Sequence, residues 1–176
     1  MAVPQLEDLK SYIRDVPDFP KTGILYRDIT PLLNNAEAFT AAIRELANRY
    51  RDSEIDVVAA AEARGFLFGV PLAMELGVAF VPIRKPGKLP YQTRAVQYEL
   101  EYGTDSLEMH VDGIEAAQRV LIVDDLLATG GTVAACCQLV EGCGGIVVEC
   151  AFLIYLTYLG GAERLAPHGV FSLIQY

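Results

Sequence analysis

The sequence predicts an α/β fold in which a mainly parallel sheet is flanked by helices. Four continuous apolar runs have the length of buried strands, and segments with the period of amphipathic helices alternate with them. Strands that are apolar on both faces and are joined by helices belong to parallel sheets covered on both sides. A length of 176 residues with 52% hydrophobic and 21% charged residues is typical of one globular domain, here residues 1–176.

The elements of the first half follow from apolar spacing and turn residues. Phe39, Ile43 and Leu46, for example, recur at helical spacing. In chain order we predict a helix over 4–14, a turn with an extended piece over 16–30, a helix over 36–51, a strand over 56–61, a helix over 64–76 and a strand over 78–84.

The second half repeats the strand–helix–strand order and adds a hairpin. Val96, Tyr98 and Leu100 alternate with polar residues, which is the period of a half-exposed strand. We predict a polar, mobile connection over 85–94, a hairpin with strands over 95–102 and 105–110, a strand over 119–125, a helix over 131–143 and a strand over 146–156.

The charge distribution limits the function classes. The net charge is −9, and residues 95–176 contain two Lys/Arg against eleven Asp/Glu, whereas residues 1–94 contain twelve of each. So acidic a chain lacks the basic face that nucleic-acid binding requires. Cations for a polyanionic small molecule must come from the first half, where Arg84, Lys85 and Lys88 cluster.

Composition also indicates the compartment. The four cysteines have no metal-ligand spacing and are predicted to be reduced core thiols. The start "MAVPQLEDLKSY" lacks the basic and apolar regions of a signal peptide, and no apolar run reaches the roughly 18 residues of a membrane helix. We therefore expect a soluble, cytoplasmic protein with no membrane partner.

The stretch "RVLIVDDLLATGGT", residues 119–132, combines a strand, two acids and a small-residue turn before a helix. Gly130 and Gly131 allow close backbone approach at a helix N-terminus, where free N–H groups bind phosphate, and the neighbouring threonines add hydroxyl donors. Asp124 and Asp125 would accept hydrogen bonds from vicinal hydroxyls such as those of a ribose, or assist Mg²⁺ through water. In parallel sheets, ligands bind at this end of the strands.

This stretch has three alternative interpretations, namely two other nucleotide-binding motifs and a purely structural role. It lacks the lysine of a P-loop and the G-x-G-x-x-G of a dinucleotide site, so a monophosphate fits better than a nucleoside triphosphate. The acid pair could instead be structural and cap the following turn.

The stretch "VLIVDDLLATGGT" resembles the phosphoribosyl pyrophosphate motif of the type I phosphoribosyltransferase family. The stretches "VPDFPKTGILYRDITPLL", "AEARGFLFG", "IRKPGKLP" and "YELEYG" resemble the adenine phosphoribosyltransferases within it, and the similarity runs from Ile13 to the final "FSLIQY". The resemblance implies a type I phosphoribosyltransferase fold. It also implies purine salvage, in which the 5-phosphoribosyl group of phosphoribosyl pyrophosphate passes to adenine, giving AMP and pyrophosphate.

The resemblance also implies roles for individual residues. Residues 1–35 would form a hood over the base, and residues 85–105 a flexible catalytic loop and hairpin. The implied roles are catalysis by Glu101, Tyr102 and Arg64; 5′-phosphate and ribose binding by Asp124, Asp125, Ala128, Thr129, Gly130, Gly131 and Thr132; pyrophosphate binding by Glu62, Ala63, Arg64, Arg84 and Lys88; and adenine binding by Leu25, Tyr26 and Arg27. In the family, the peptide bond matching Glu62–Ala63 is cis, and the arginine matching Arg84 comes from the neighbouring subunit of a homodimer.

The resemblance makes Mg²⁺, bound with phosphoribosyl pyrophosphate, the expected cofactor, and small molecules the expected partners. Two rival functions remain. One is transfer to another base such as xanthine or hypoxanthine. The other is a regulator that only senses phosphoribosyl pyrophosphate, although the acidic charge gives it no nucleic-acid-binding surface.

Overall fold

The computed structural model describes residues 6–99 and 104–176, in which helices surround a central sheet. The helices are α1 (Leu6–Leu9), α2 (Thr30–Leu33), α3 (Ala36–Tyr50), α4 (Gly65–Leu76), α5 (Gly131–Gly142) and α6 (Gly161–Leu165). The strands are β1 (Arg14–Pro17), β2 (Leu25–Asp28), β3 (Val57–Ala61), β4 (Ala79–Ile83), β5 (Thr93–Glu99), β6 (Thr104–His110), β7 (Arg119–Leu127), β8 (Ile146–Tyr155) and β9 (Val170–Gln175). Among these described helices, none is both long and apolar enough to cross a membrane.

The central sheet has five parallel strands in the order β4-β3-β7-β8-β9, which confirms the predicted mainly parallel sheet. Strand β7 is the middle strand and pairs with β3 on one side and β8 on the other. Two antiparallel pairs lie outside this sheet: β1 with β2, and β5 with β6. The second pair is the predicted hairpin, with the turn at Gly103 outside the described residues.

Alternate residues of the central strands pack on opposite faces of the sheet, as their double-sided apolar pattern predicts. Leu121 and Val123 belong to the cluster under α3 and α4, whereas Val120 and Ile122 belong to the cluster under α5. The helices thus cover both faces and fix the carboxyl end of β7 between α4 and α5.

Two predictions at element ends were wrong, and three short elements were not predicted. The predicted helix over 4–14 is shorter, because α1 is followed by a 3-10 turn over Lys10–Tyr12 and Arg14 already pairs with Asp28 in β1. Strand β7 continues two residues past the acids to Leu127, because β8 pairs with it along that length. The helices α2 and α6 and the strand β9 were not predicted, since short elements carry little periodicity.

The cysteines are free thiols, as predicted. Three of them are buried, and burial raises the pKa of Cys136 well above its ordinary value. Cys137 and Cys150 approach to 3.7 Å between their sulfur atoms within the core under α5. The cysteines therefore serve as small apolar core residues.

Candidate functional site

A cavity of about 430 Å³ lies at the carboxyl end of β7, where the strand passes into the turn before α5. Its volume lies within the range of about 300–1,000 Å³ that is usual for small-molecule sites. The lining residues are Glu62, Ala63, Arg64, Asp124, Asp125, Leu126, Leu127, Ala128, Thr129, Gly130, Gly131, Thr132 and Val133. The structure thus brings the predicted acids, the predicted phosphate turn and the loop after β3 into one cavity.

The two acids of β7 differ in exposure and in partners. Asp125 is 3% exposed, and Asp124 is half-buried and accepts a hydrogen bond from the backbone N–H of Asp125 at 2.8 Å. The Nε atom of Arg64 lies 3.0 Å from Oδ2 of Asp125, but this ion pair lacks hydrogen-bond geometry and Oδ2 accepts no hydrogen bond from a described residue. A buried acceptor without a donor is costly, so this oxygen suits a ligand hydroxyl.

The acids also hold protons more tightly than exposed carboxyls do. Burial, followed by the charge of Asp125, raises the pKa of Asp124 well above its usual range. Burial also raises the pKa of Asp125, against the opposing charge of Arg64. A ligand whose hydroxyls donate hydrogen bonds to the ionised carboxylates would therefore cause the two acids to release protons when it binds.

Gly65 allows Arg64 to approach the acids. Helix α4 begins at Gly65, and a Cβ atom there would lie 3.0 Å from Oδ1 of Asp124 and 3.2 Å from the carbonyl oxygen of Val123. Any larger residue would push the start of α4, and Arg64 with it, away from β7. Gly65 lies within the quoted "AEARG" stretch but was not among the predicted site residues.

The predicted phosphate turn, residues 128–132, leads into the N-terminus of α5. Gly130 has a φ of 81°, a left-handed conformation that favours glycine, and Gly131 starts the helix. The first turn of a helix presents N–H groups without intrahelical partners, together with the positive end of the helix dipole. The turn therefore has the geometry of an anion site.

Gly161, at the start of α6, supports this turn and was missed by the sequence analysis. A Cβ atom on Gly161 would lie 2.2 Å from the carbonyl oxygen of Ala128, and one on Gly130 would lie 2.7 Å from the carbonyl oxygen of Gly161. The two backbones touch without side chains between them. The only signal in the sequence is the Gly160–Gly161 pair, whose partner is distant along the chain.

We expect Gly161→Ala to weaken binding of a sugar phosphate and to destabilise the fold by about 1–3 kcal/mol, the usual cost of overpacking. The added methyl group must displace the Ala128 carbonyl and with it the phosphate turn. Calorimetric titration with ribose 5-phosphate and a denaturant titration measure the two effects. Gly142→Ala is the matched control, since its Cβ would meet only the flexible side chain of Arg94. Equal affinities in both variants would contradict the supporting role of Gly161.

The loop after β3 contains the Glu62–Ala63 peptide bond, which is cis as the resemblance implied. The Glu62 side chain is 7% exposed and binds two cations, Nε of Arg84 at 2.8 Å and Nζ of Lys88 at 2.6 Å. Burial acts to raise the pKa of Glu62, but hydrogen bonds from Lys88 and Arg84 outweigh it and lower that pKa.

Arg84 and Lys88 do not line the main cavity. They line a second depression together with Glu62, Ala63, Phe66 and Lys85, and it shares Glu62 and Ala63 with the main cavity. The family resemblance implied a pyrophosphate site at both cations, but their pairing with Glu62 was not predicted. In this arrangement both cations pair with Glu62 and with neither acid of β7.

The predicted base-binding stretch forms β2. Leu25 is exposed, Tyr26 is half-buried and packs edge to face on Phe19 with ring centroids 5.0 Å apart. The Arg27 guanidinium pairs with Asp15 and lies 3.6 Å from the ring centroid of Tyr176. These contacts hold the Arg27 guanidinium in place, while its Nε atom is buried and has no hydrogen-bond partner among the described residues.

The predicted catalytic residues Glu101 and Tyr102 lie outside the described residues. The strands before and after them are anchored: Lys85 lies 3.0 Å from Asp105, the Tyr98 hydroxyl donates to Asp105 at 3.3 Å, and Tyr98 also interacts with Thr132. Burial raises the pKa of Tyr98. The hairpin is thus attached to the basic cluster and to the start of α5.

Comparison with known proteins gives a consistent result. The family model of the phosphoribosyl transferase domain matches residues 32–171. Over 169 residues the chain is 62% identical to an adenine phosphoribosyltransferase of Rhodopirellula baltica, which covers 96% of this chain and 82% of that protein.

Solved structures agree with the sequence relatives. The adenine phosphoribosyltransferase of Thermoanaerobacter pseudethanolicus superposes with a TM-score of 0.95 at 56% identity, covering 98% of this chain and 100% of that one. The enzyme of that name from Saccharomyces cerevisiae, solved with adenine and an imino-altritol bisphosphate, superposes with a TM-score of 0.90 at 40% identity, covering 96% and 97%.

Proposed function

The chain belongs to the phosphoribosyl transferase domain family, and on that premise we propose that it is an adenine phosphoribosyltransferase. It transfers the 5-phosphoribosyl group of phosphoribosyl pyrophosphate to adenine and releases AMP and pyrophosphate. The observation that carries this function is the single cavity in which a buried acid pair, an anion-binding helix start and Arg64 meet. Such a cavity matches a ligand that has vicinal hydroxyls, a phosphate and a second anionic group.

The roles of the cavity residues follow from their chemistry. Asp124 and Asp125 accept hydrogen bonds from the ribose hydroxyls. The Oδ2 atom of Asp125, which accepts no hydrogen bond from a described residue, supports this assignment. Residues 128–132 hold the 5′-phosphate at the N-terminus of α5. Arg64 and the backbone of Glu62 and Ala63 meet the pyrophosphate.

Adenine lies under the hood of residues 1–35, against β2. Tyr26 stacks on the purine, and backbone groups of Leu25 and Arg27 recognise its edge. Strand β2 pairs only with β1 among the described residues, so half of its backbone groups face away from that ladder. Fixed backbone donors and acceptors can select a 6-amino purine over a 6-oxo purine.

In the reaction, adenine N9 attacks the anomeric carbon as the bond to pyrophosphate breaks, through a transition state with oxocarbenium character. The leaving pyrophosphate gains negative charge, and Arg64, Arg84 and Lys88 stabilise it. Glu101 accepts the proton that leaves the purine at N7 as the bond to N9 forms. The segment 85–105 excludes water, since hydrolysis of the activated sugar is the competing reaction.

The acids also fit a magnesium ion that arrives with the substrate. Carboxylate oxygens suit this hard cation. Asp124 and Asp125 would hold the ion through water, and its charge would favour departure of pyrophosphate.

The direct test is AMP formation from adenine and phosphoribosyl pyrophosphate, with and without magnesium. Hypoxanthine and xanthine in competition with adenine decide between this enzyme and a transferase for another base. A protein that binds phosphoribosyl pyrophosphate but forms no nucleotide would be the regulator instead. A preference for hypoxanthine or xanthine over adenine, or binding of phosphoribosyl pyrophosphate without nucleotide formation, would contradict the proposed function.

A homodimer is part of the proposal. Helix α4 packs Phe68 and Leu72 into the core, yet its opposite face exposes Leu67, Val70 and Met74, the last at 78%. A helix that is apolar on both faces is usually covered by a partner. Helix α4 starts beside the cavity, so a partner on this face would come close to the site. Arg84, which does not line the main cavity of its own chain, could then serve the site of the partner.

We expect Arg84→Ala mixed with Glu101→Ala to recover activity that neither variant has alone. If Arg84 serves the neighbouring site, each heterodimer has one site free of both changes. Activity is measured after subunit exchange, with exchange verified by mass spectrometry of tagged subunits. A mixture no more active than the sum of its parts, with exchange verified, would show that Arg84 acts within its own subunit.

We also propose a cytoplasmic location, which the free thiols support, since unpaired cysteines persist in a reducing compartment.

A further inference from the structure

Arg64 connects two parts of the fold that belong to different sheets. Its Nη1 atom donates a hydrogen bond to the hydroxyl oxygen of Tyr26 on β2, and its Nε atom lies 3.0 Å from Oδ2 of Asp125 on β7. Strand β2 belongs to the two-stranded N-terminal sheet, and β7 is the middle of the central sheet. One guanidinium therefore bridges the proposed base site and the proposed sugar–phosphate site.

The contact between Tyr26 and Arg64 is made by the hydroxyl group of Tyr26 more than by its ring. The Cζ atom of Arg64 lies 5.7 Å from the ring centroid, near the outer limit of a cation–π contact, whereas the hydroxyl accepts a direct hydrogen bond. An aromatic ring needs no hydroxyl to stack on a base. Phe19 already packs on the ring with an interplanar angle of 75°. The hydroxyl is therefore available for a role beyond stacking.

We propose that the Tyr26 hydroxyl is a positioning group that couples base binding to pyrophosphate binding through Arg64; this inference rests on the proposed function. A guanidinium has five N–H donors in a rigid plane, and the hydroxyl takes one, which leaves donors for an anion. An anion that fixes this plane also fixes the hydroxyl and the tilt of the Tyr26 ring. A base stacked on that ring orients the guanidinium in return, so adenine and pyrophosphate each raise the affinity for the other.

The test uses adenine and magnesium pyrophosphate, which can bind together without reacting because no ribose is present. Calorimetry gives the Kd of pyrophosphate with and without saturating adenine. For the unmodified protein we expect adenine to tighten pyrophosphate binding by about fivefold or more, the lower end of usual coupling. Tyr26→Phe keeps the ring that would stack on adenine but removes the hydroxyl, so its ratio of the two Kd values should fall to about one, whatever its affinity for adenine alone.

Two further variants make the result specific. Tyr12→Phe removes a hydroxyl from the same N-terminal part, beside a different depression formed with Arg14 and Thr30, and should keep the full coupling. Arg64→Lys keeps the charge but not the planar fork, and should lose the coupling as Tyr26→Phe does.

Coupling that persists in Tyr26→Phe, or that is missing from the unmodified protein, would overturn the inference. AMP formation by the same preparation tests the proposed function separately from the role of the Tyr26 hydroxyl. A preparation that forms no AMP overturns the proposed function, whereas one that forms AMP without coupling overturns only the role of the Tyr26 hydroxyl.

Discussion

Asp124→Asn combined with Asp125→Asn is expected to weaken binding of phosphoribosyl pyrophosphate and AMP strongly while the fold remains intact. Each hydrogen bond from a ribose hydroxyl to a carboxylate contributes about 1.5–3 kcal/mol, so affinity should fall by about 10- to 150-fold for each acid. Calorimetric titration with both ligands measures the loss. Asp112→Asn, in the exposed turn after β6, is the control. Unchanged affinity for both ligands would show that the acids are structural.

The same substitutions should make the unliganded protein more stable at neutral pH. Burial raises the pKa of both acids, so the folded chain binds more protons than the unfolded chain between the ordinary value of about 4 and the raised folded value. The free energy of unfolding therefore falls as the pH rises through that window, and the loss is complete above it. Asparagine removes this loss, and each kcal/mol recovered raises Tm by about 2–4 °C in a domain of this size.

Ligand affinity should depend on pH in the opposite direction. The ribose hydroxyls favour the ionised acids, so the affinity of the unmodified protein for phosphoribosyl pyrophosphate should fall as the pH drops through the raised pKa values. The double asparagine variant should lose that dependence. Stability and function thus oppose each other at this acid pair.

Glu101→Gln is expected to lower kcat by about 10²- to 10⁴-fold while the affinity for phosphoribosyl pyrophosphate changes little. The amide keeps the shape and can still form hydrogen bonds, but it cannot exchange the proton that leaves the purine. Glu101 lies outside the described residues, yet Tyr98 interacts with Thr132 at the start of α5. Tyr98 stands three residues before Glu101 in the chain.

Single-turnover rates decide this assignment. Glu99→Gln is the internal control, since Glu99 ends β5 two residues earlier and should affect the rate far less. Small and equal effects of the two substitutions would show that Glu101 has no catalytic role and is one of the many solvated acids in this half of the chain.

The sequence predicts the central sheet and half of the cavity well because the information there is local. Strands β3 and β8 are apolar on both faces, and their pattern alone distinguishes them from the amphipathic helices. In the stretch around Asp124 and Gly130, acids, turn and helix start are adjacent in the chain, so the chemistry can be read without the fold.

The remaining features depend on contacts between distant segments. Gly161 matters because its backbone meets that of Ala128, and neither segment contains a pattern that identifies the other. The pairing of Glu62 with Arg84 depends on the register of β3 and β4. The role proposed for β2 came from family resemblance alone, because its local sequence is that of an ordinary strand.

The unequal anchoring of β7 and β2 has a consequence for how the site fails. Strand β7 has a hydrogen-bond ladder on each side, whereas within residues 6–99 and 104–176 β2 has only the four-residue ladder with β1. Local opening costs least where ladders and buried contacts are few, so the hood opens far more often than the sheet beneath it. On warming, the protein would lose its selectivity for the base before it loses its affinity for the activated sugar. The sugar would then be left open to attack by water while the rest of the chain is still folded.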